Sequence, residues 1–225
     1  MTPDELVRDR TIYSCVMGSR AFGLATDGSD TDVRGVYVAP TPLFWRFDKP
    51  PAHVEGPGQD QFSWELERFC ELALRNNPNV LECLHSPVVE RVDDLGRELL
   101  SLRGAFLSRQ AHQTFVRYAD GQRRKLDADV RQYGHPRWKH AMHLLRLLTS
   151  CRDLLRTGEL RIEVGEARER LLAVKRGDVS WPEVESWMNR LQDEADASLT
   201  GSPLPAGPDK ARVEDFLIRV RRAAV

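Results

Sequence analysis

Apolar and polar positions follow one rhythm in the first third of the chain and another afterwards. "TIYSCVMG" (11 to 18) is a β-branched, apolar run that ends on glycine, the pattern of a buried strand. "TDVRGVYVA" (31 to 39) alternates as a strand does, and Pro40 and Pro42 close it. Residues 48 to 59 contain three prolines and two glycines and read as a loop, and "QDQFSW" (59 to 64) reads as a third short strand. From Leu66 the period changes. Leu66, Phe69, Cys70, Ala73 and Leu74 share one helix face, and Asn77-Pro78 caps and opens a helix carrying Val80, Leu81 and Leu84. Helical patterns continue through "LGRELLSLRGAFLS" and "AHQTFVRYADGQRRKL".

The strongest helical pattern runs over 135 to 157. Pro136 opens it, Ala141, Leu144, Leu145, Leu148, Cys151 and Leu155 form its stripe, and Gly158 stops it. Ser180 and Glu183 make a capping box for the helix that buries Val184, Trp187, Met188 and Leu191, and a last amphipathic helix ends the sequence. Thr2 and Pro3 cap a short helix at the start. Strands first and helices after predict an α+β fold: a small mixed sheet over residues 1–90, then a helical segment over 91–225.

Composition narrows the function classes. Lys+Arg is 33 against Asp+Glu 34, a balance that excludes coating nucleic acid by bulk charge but permits a local basic patch. Cys15, Cys70, Cys83 and Cys151 form no C-x-x-C pair and sit in apolar runs, as reduced thiols of a cytoplasmic protein do. No apolar run is long enough for a membrane span, and the acidic, polar N-terminus is unlike a signal peptide.

The candidate chemistry lies in "GSRAFGLATDGSDTDVRGV" (18 to 36). Clustered aspartates ordinarily mark solvated turns. Here Asp30 and Asp32 lead straight into Val33, Val36 and Val38, so a strand would open with two carboxylates on one face. Two such carboxylates repel unless a cation lies between them, and Mg²⁺ favours hard carboxylate and phosphate oxygens. Gly18-Ser19, at the end of the preceding strand, would supply a close backbone approach and a hydroxyl for phosphate. Arg34, two residues past Asp32, would share its face and either contact phosphate or orient a carboxylate; Arg20 also flanks the motif, where a surface ion pair is the plain alternative.

This stretch resembles the signature of the DNA polymerase β-like nucleotidyltransferase superfamily: G-S, a helix, then D-x-D on the next strand. Gly18, Ser19, Asp30 and Asp32 fall on the motif without an insertion, and Gly23 and Ser29 agree. The "D-x-R-G-V" variant, with "NPNVLECL" and "KHAMHLLRLL" downstream, is similar to a branch of bacterial and phage nucleotidyltransferases that includes RNA-repair-associated polymerases. That looser resemblance spans most of residues 12 to 176. It implies NMP transfer from an NTP to a hydroxyl, with pyrophosphate released and an RNA 3′ end as the favoured acceptor. Two Mg²⁺ ions, for which Mn²⁺ could substitute, would sit about 3.5–4 Å apart on Asp30 and Asp32.

The superfamily also requires a third carboxylate on a neighbouring strand. Asp60 is the choice, with Glu65 in reserve as a first-turn helix acid. Lys139, His143 and Arg146 recur at i, i+4 and i+7 in a region that also carries Arg123, Arg124, Lys125, Arg131, Tyr133 and Trp138. The resemblance implies contact of that stripe with base or phosphates; a solvated helix face is the alternative. His140 and His143 lack partners at zinc-ligand spacing, and Glu82 reads as part of a solvated face. Two other functions share these residues: transfer to a protein or small-molecule hydroxyl, and a non-catalytic nucleotide- or RNA-binding module. The sequence names no protein partner.

Overall fold

A computed structural model of the chain describes residues 1–224. They form two compact units, 1–107 with 208–224 and 108–207. The first unit opens with α1 (Pro3–Arg10), where the Thr2 hydroxyl and the Glu5 carboxylate make a reciprocal cap. The chain then runs through β1 (Thr11–Met17), a single helical turn α2 (Gly18–Ala21), β2 (Asp32–Tyr37), β3 (His53–Glu55) and β4 (Gln61–Glu65). Next come α3 (Leu66–Leu74), α4 (Pro78–Leu84), β5 (Val89–Val92), α5 (Asp94–Ser101) and α6 (Arg103–Phe106). The five strands make one mixed sheet in the order β3-β4-β2-β1-β5. Only β2 and β4 are parallel; the other neighbours are antiparallel. The α+β architecture is therefore as the sequence pattern predicts.

Every residue of β1 is buried, because the strand has a neighbour on each side and helices on both faces. On one face Leu6 and Val7 of α1 pack with Tyr37, Ala39 and Val54. On the other, α4 is pinned to β1: the Tyr13 hydroxyl donates to the Cys83 carbonyl at 2.6 Å, and the Ser86 hydroxyl to the Val16 carbonyl at 2.7 Å. These bonds satisfy carbonyls that the end of a helix and an irregular strand pairing would otherwise leave open. They also fix the end of β1, from which the candidate site begins.

The second unit is α-helical: α7 (Gln110–Tyr133), α8 (Trp138–Thr157), α9 (Arg168–Arg176) and α10 (Trp181–Thr200). The other three helices pack around α8, whose apolar stripe from Ala141 to Leu155 is buried. Gly158 and Gly177 end α8 and α9 in the left-handed region, and the predicted capping box of α10 is present. The final helix α11 (Lys210–Ala223) belongs to the first unit, where it contacts α3 and α6.

Several local expectations are corrected. Strand β3 lies inside the region read as loop; three residues between prolines carry no periodicity, and β4 supplies the pairing. Strand β5 is largely exposed and lacks an apolar signal. Helix α8 begins at Trp138 because Arg137 is extended, so Pro136 precedes the helix and does not open it. Glu82 is only 2% exposed, on a helix with buried residues all round, so it lies on no solvated face.

Candidate active site

The site starts where β1 stops. Gly18 takes a φ of +67°, a conformation costly for a residue with a side chain, and turns the chain out of the sheet into α2. A methyl group built on Gly18 would collide with the Asp32 Oδ2 and lie 3.3 Å from its Cγ. The bare backbone of the glycine is thus the seat of the Asp32 carboxylate. Glycine permits this close approach. The group that approaches is the strand's own aspartate.

The chain between α2 and β2 is a tied loop. The Leu24 amide bonds to the Ser19 carbonyl at 2.8 Å. Ser29 accepts from the Thr26 amide through its hydroxyl (2.9 Å) and donates its amide to the Thr26 carbonyl (3.0 Å). Arg20 donates to the Ser29 carbonyl at 3.0 Å, so it staples this loop rather than pairing with a surface acid. Strand β2 begins at Asp32, opposite Met17, the last residue of β1. Asp30 therefore precedes the strand and is exposed, where the sequence pattern had placed it on the strand. The reason is that β1 turns away at Gly18 and offers no partner further back.

Arg34 braces the opening of β2. Its Nη2 lies 3.3 Å from Asp32 Oδ1, and its Nη1 donates to the carbonyls of Asp60 (2.9 Å) and Val33 (2.8 Å). The Val33 amide donates to the same Asp60 carbonyl at 3.1 Å. Asp60 itself has a φ of +53° in the turn before β4. Since Val33 stands beside Gln61 in the parallel ladder, the residues just before them, Asp32 and Asp60, come at the same end of these two strands. Glu65 is elsewhere: it pairs with Tyr37 at the opposite end of that ladder. Its buried carboxylate caps α3 and accepts both Arg221 nitrogens, Nη1 at 2.9 Å and Nη2 at 2.8 Å. The "D-V-R-G-V" departure from a plain apolar strand thus has a local reason. Arg34 holds Asp32, and a side chain on Gly35 would meet the Ser63 hydroxyl 2.7 Å away on β4.

Among the described residues, no three His, Cys, Asp or Glu side chains converge into a set able to hold a metal ion. Asp32 is seated, Asp60 is exposed in the turn before β4, and Asp30 is exposed in the loop two residues before β2. Carboxylates that no cation bridges repel one another. The donors are hard oxygens, which fit Mg²⁺ or Mn²⁺ in kind.

Lys139, His143 and Arg146 lie on α8 of the second unit. Their exposure is graded: Lys139 is exposed, His143 half-buried and Arg146 buried. Burial, reinforced by Arg146, Lys139, His140 and Lys175, lowers His143 to about 4, so its imidazole is neutral at physiological pH. The helix face is not simply a solvated stripe.

Comparison with known proteins bears on the whole chain. The family model described as the RNA repair pathway DNA polymerase beta family matches residues 4–219. A curated Bacillus subtilis (strain 168) protein, the uncharacterized protein YcgL, is 32% identical over 83 residues, which is 36% of this chain. The match spans 32% of that relative, so the chain covers about a third of its length. No solved structure matches. Among the described residues, no helix is long and apolar enough to cross a membrane. With the G-S turn at the end of β1, the seated aspartate at the start of β2, and a family match over residues 4–219, the chain belongs to the RNA repair pathway DNA polymerase beta family.

Proposed function

We propose that the protein is a Mg²⁺-dependent nucleotidyltransferase that moves an NMP from an NTP to an RNA 3′ hydroxyl. The observation that carries this reading is the Asp32 carboxylate lodged against Gly18 and braced by Arg34, in a chain of this family. Bound divalent ions would supply charge neutralisation at the phosphates and a lowered pKa at the acceptor hydroxyl. Asp30, Asp32 and Asp60 are the residues that would hold them. Ser19 and the backbone of Gly18 bind the triphosphate. Arg34 keeps Asp32 aimed while that charge assembles. The acceptor oxygen bonds to the α-phosphorus as the bond to the β-phosphate oxygen breaks; its proton passes to the Asp60 carboxylate, and pyrophosphate leaves. Positioning and charge stabilisation carry most of the rate.

Lys139, His143 and Arg146, on α8 of the second unit, are proposed as nucleotide contacts on the family resemblance alone. Calorimetric titration of the protein with ATP and MgCl₂, paired with a pyrophosphate-release assay on an RNA pool, tests the proposal. Metal-dependent NTP binding that is lost in Asp30→Asn and Asp32→Asn, together with pyrophosphate release, is expected. Tight NTP binding without release across all four NTPs would assign a non-catalytic module. Weaker NTP binding by Lys139→Ala supports the contacts on α8, and unchanged binding removes them.

A further inference from the structure

The face of the sheet that carries Asp32 and Arg34 continues outward onto aromatic residues that the metal chemistry does not use. Strand alternation puts Asp32, Arg34 and Val36 on one face of β2. The parallel ladder sets Phe62 beside Arg34 and Trp64 beside Val36. The next ladder sets Glu55 beside Phe62 and His53 beside Trp64, at the outer edge of the sheet. The rings on this edge are already arranged. His53 and Phe62 stack with centroids 5.1 Å apart and planes 12° from parallel, and Trp64 meets Phe62 edge-on at 4.7 Å. Trp64 in turn leans on the buried Phe69 of α3, which anchors the row to the core.

These rings are not consumed by packing. Val36 is buried under the helices, but Phe62 and Trp64 are half-exposed and His53 is exposed. A stacked pair left partly open at a strand edge keeps apolar surface in water. It offers a flat π surface immediately beside the arginine that braces the candidate metal ligand. From Asp32 to Phe62 the path is two residues along a strand and one strand across. At about 3.3 Å per residue and about 4.8 Å between strands, that is roughly 8 Å, a span that one nucleotide bridges.

We infer that Phe62 and His53 form a base-stacking shelf, which holds the nucleobase of the nucleotide whose phosphate or 3′ hydroxyl reacts at the Asp32 edge. The inference rests on the proposed nucleotidyl transfer and adds where the base lies. Every base presents a π face, so the shelf favours a base of any identity over none. The base can come from the NTP or from the last residue of an RNA acceptor. Glu55, the exposed acid beside Phe62, disfavours a phosphate at the outer edge and so orients the nucleotide with its phosphates toward Arg34.

The test is equilibrium binding of three probes to the whole protein in MgCl₂: ATP, inorganic tripolyphosphate, and a fluorescein-labelled twelve-nucleotide RNA. The variants are Phe62→Leu, Phe62→Tyr and His53→Ala. Phe62→Leu keeps apolar bulk without the ring, Phe62→Tyr keeps the ring, and His53→Ala changes an exposed residue. Loss of one stack should weaken the affected probe at least fivefold in Phe62→Leu and His53→Ala. Phe62→Tyr should restore it, and tripolyphosphate binding should not change. A loss confined to ATP assigns the shelf to the NTP base, and a loss confined to RNA assigns it to the acceptor's terminal base. Unchanged ATP and RNA binding in His53→Ala and Phe62→Leu overturns the shelf, as does a tripolyphosphate loss equal to the ATP loss. Should Phe62→Leu not fold, His53→Ala decides alone. Base-dependent ATP binding without any transfer would instead contradict the catalytic proposal and leave the shelf standing.

Discussion

Replacing the Gly18 hydrogen by a methyl would push the Asp32 carboxylate off its seat, so Gly18→Ala is a test of the site that leaves every charged group in place. The substitution also forces alanine to a φ of +67°, at a cost of about 1–2 kcal/mol. We expect a drop of several degrees in Tm, with Mg²⁺-dependent NTP binding and transfer lost far beyond what that drop explains. Near-native binding in Gly18→Ala would mean that Asp32 is held by something other than this contact. A second residue-scale prediction concerns pH. Burial brings His85 as well as His143 down to about 4, from an ordinary value near 6.5. Above about 6.5 neither the folded nor the unfolded histidine is charged, and this part of the stability is complete. As the pH falls from 6.5 toward 4 the unfolded chain takes up protons that the folded chain refuses, so stability is lost. The shift corresponds to about 3 kcal/mol for each histidine at the acid end. Urea midpoints of His143→Gln and the parent at pH 7.5, 6 and 4.5 measure it. The variant should lose less stability across that window, and parallel curves would contradict a buried neutral imidazole. Neither the Gly18 contact nor the burial of His143 is written in the spacing of residues, since both depend on which chain segments meet in three dimensions.

At the scale of elements, the ion pair joining β4 to α11 gives the clearest prediction. Glu65 is almost fully buried and accepts from Arg221, from the Glu67 amide at 2.8 Å and from the Ala39 amide at 3.3 Å. Arg221→Ala strands that carboxylate and should cost about 3–5 kcal/mol in chemical denaturation. A cost below about 1 kcal/mol would mean that α11 is dispensable to the sheet. This pair explains why Glu65 could be entertained as a metal ligand from sequence. An acid at a strand-to-helix junction looks the same whether it faces a cation in solution or an arginine 156 residues away. The long strands and helices were legible because each carries its own period and caps: Asn77 before Pro78, Ser180 with Glu183, and glycines at 158 and 177. Strands β3 and β5 were not, since three or four mostly exposed residues are strands only by virtue of β4 and β1 beside them.

For the whole molecule, the sequence shows the candidate motif but not how the chain packs around it. Residues 18 to 32 name the turn and the two aspartates, and the family match extends the likeness over residues 4–219. The sequence does not say that Arg34 ties Asp32 to the Asp60 turn, that Asp30 stands before the strand, or that the last helix rejoins the first unit. Arg34→Ala should therefore lower transfer at least tenfold by loosening Asp32, with Arg34→Lys a poor substitute because it loses the two-armed grip. Equal rates in all three proteins would show that Arg34 has no part in aiming Asp32. Incubation of the parent and of Asp32→Asn with each α-labelled NTP, MgCl₂ and an RNA pool tests nucleotidyl transfer directly. Label should pass to RNA in the parent with release of pyrophosphate, and should not pass in Asp32→Asn at unchanged Tm. Transfer by Asp32→Asn at near-parent rates, or no transfer by the parent from any of the four NTPs, would contradict nucleotidyl transfer at Asp32.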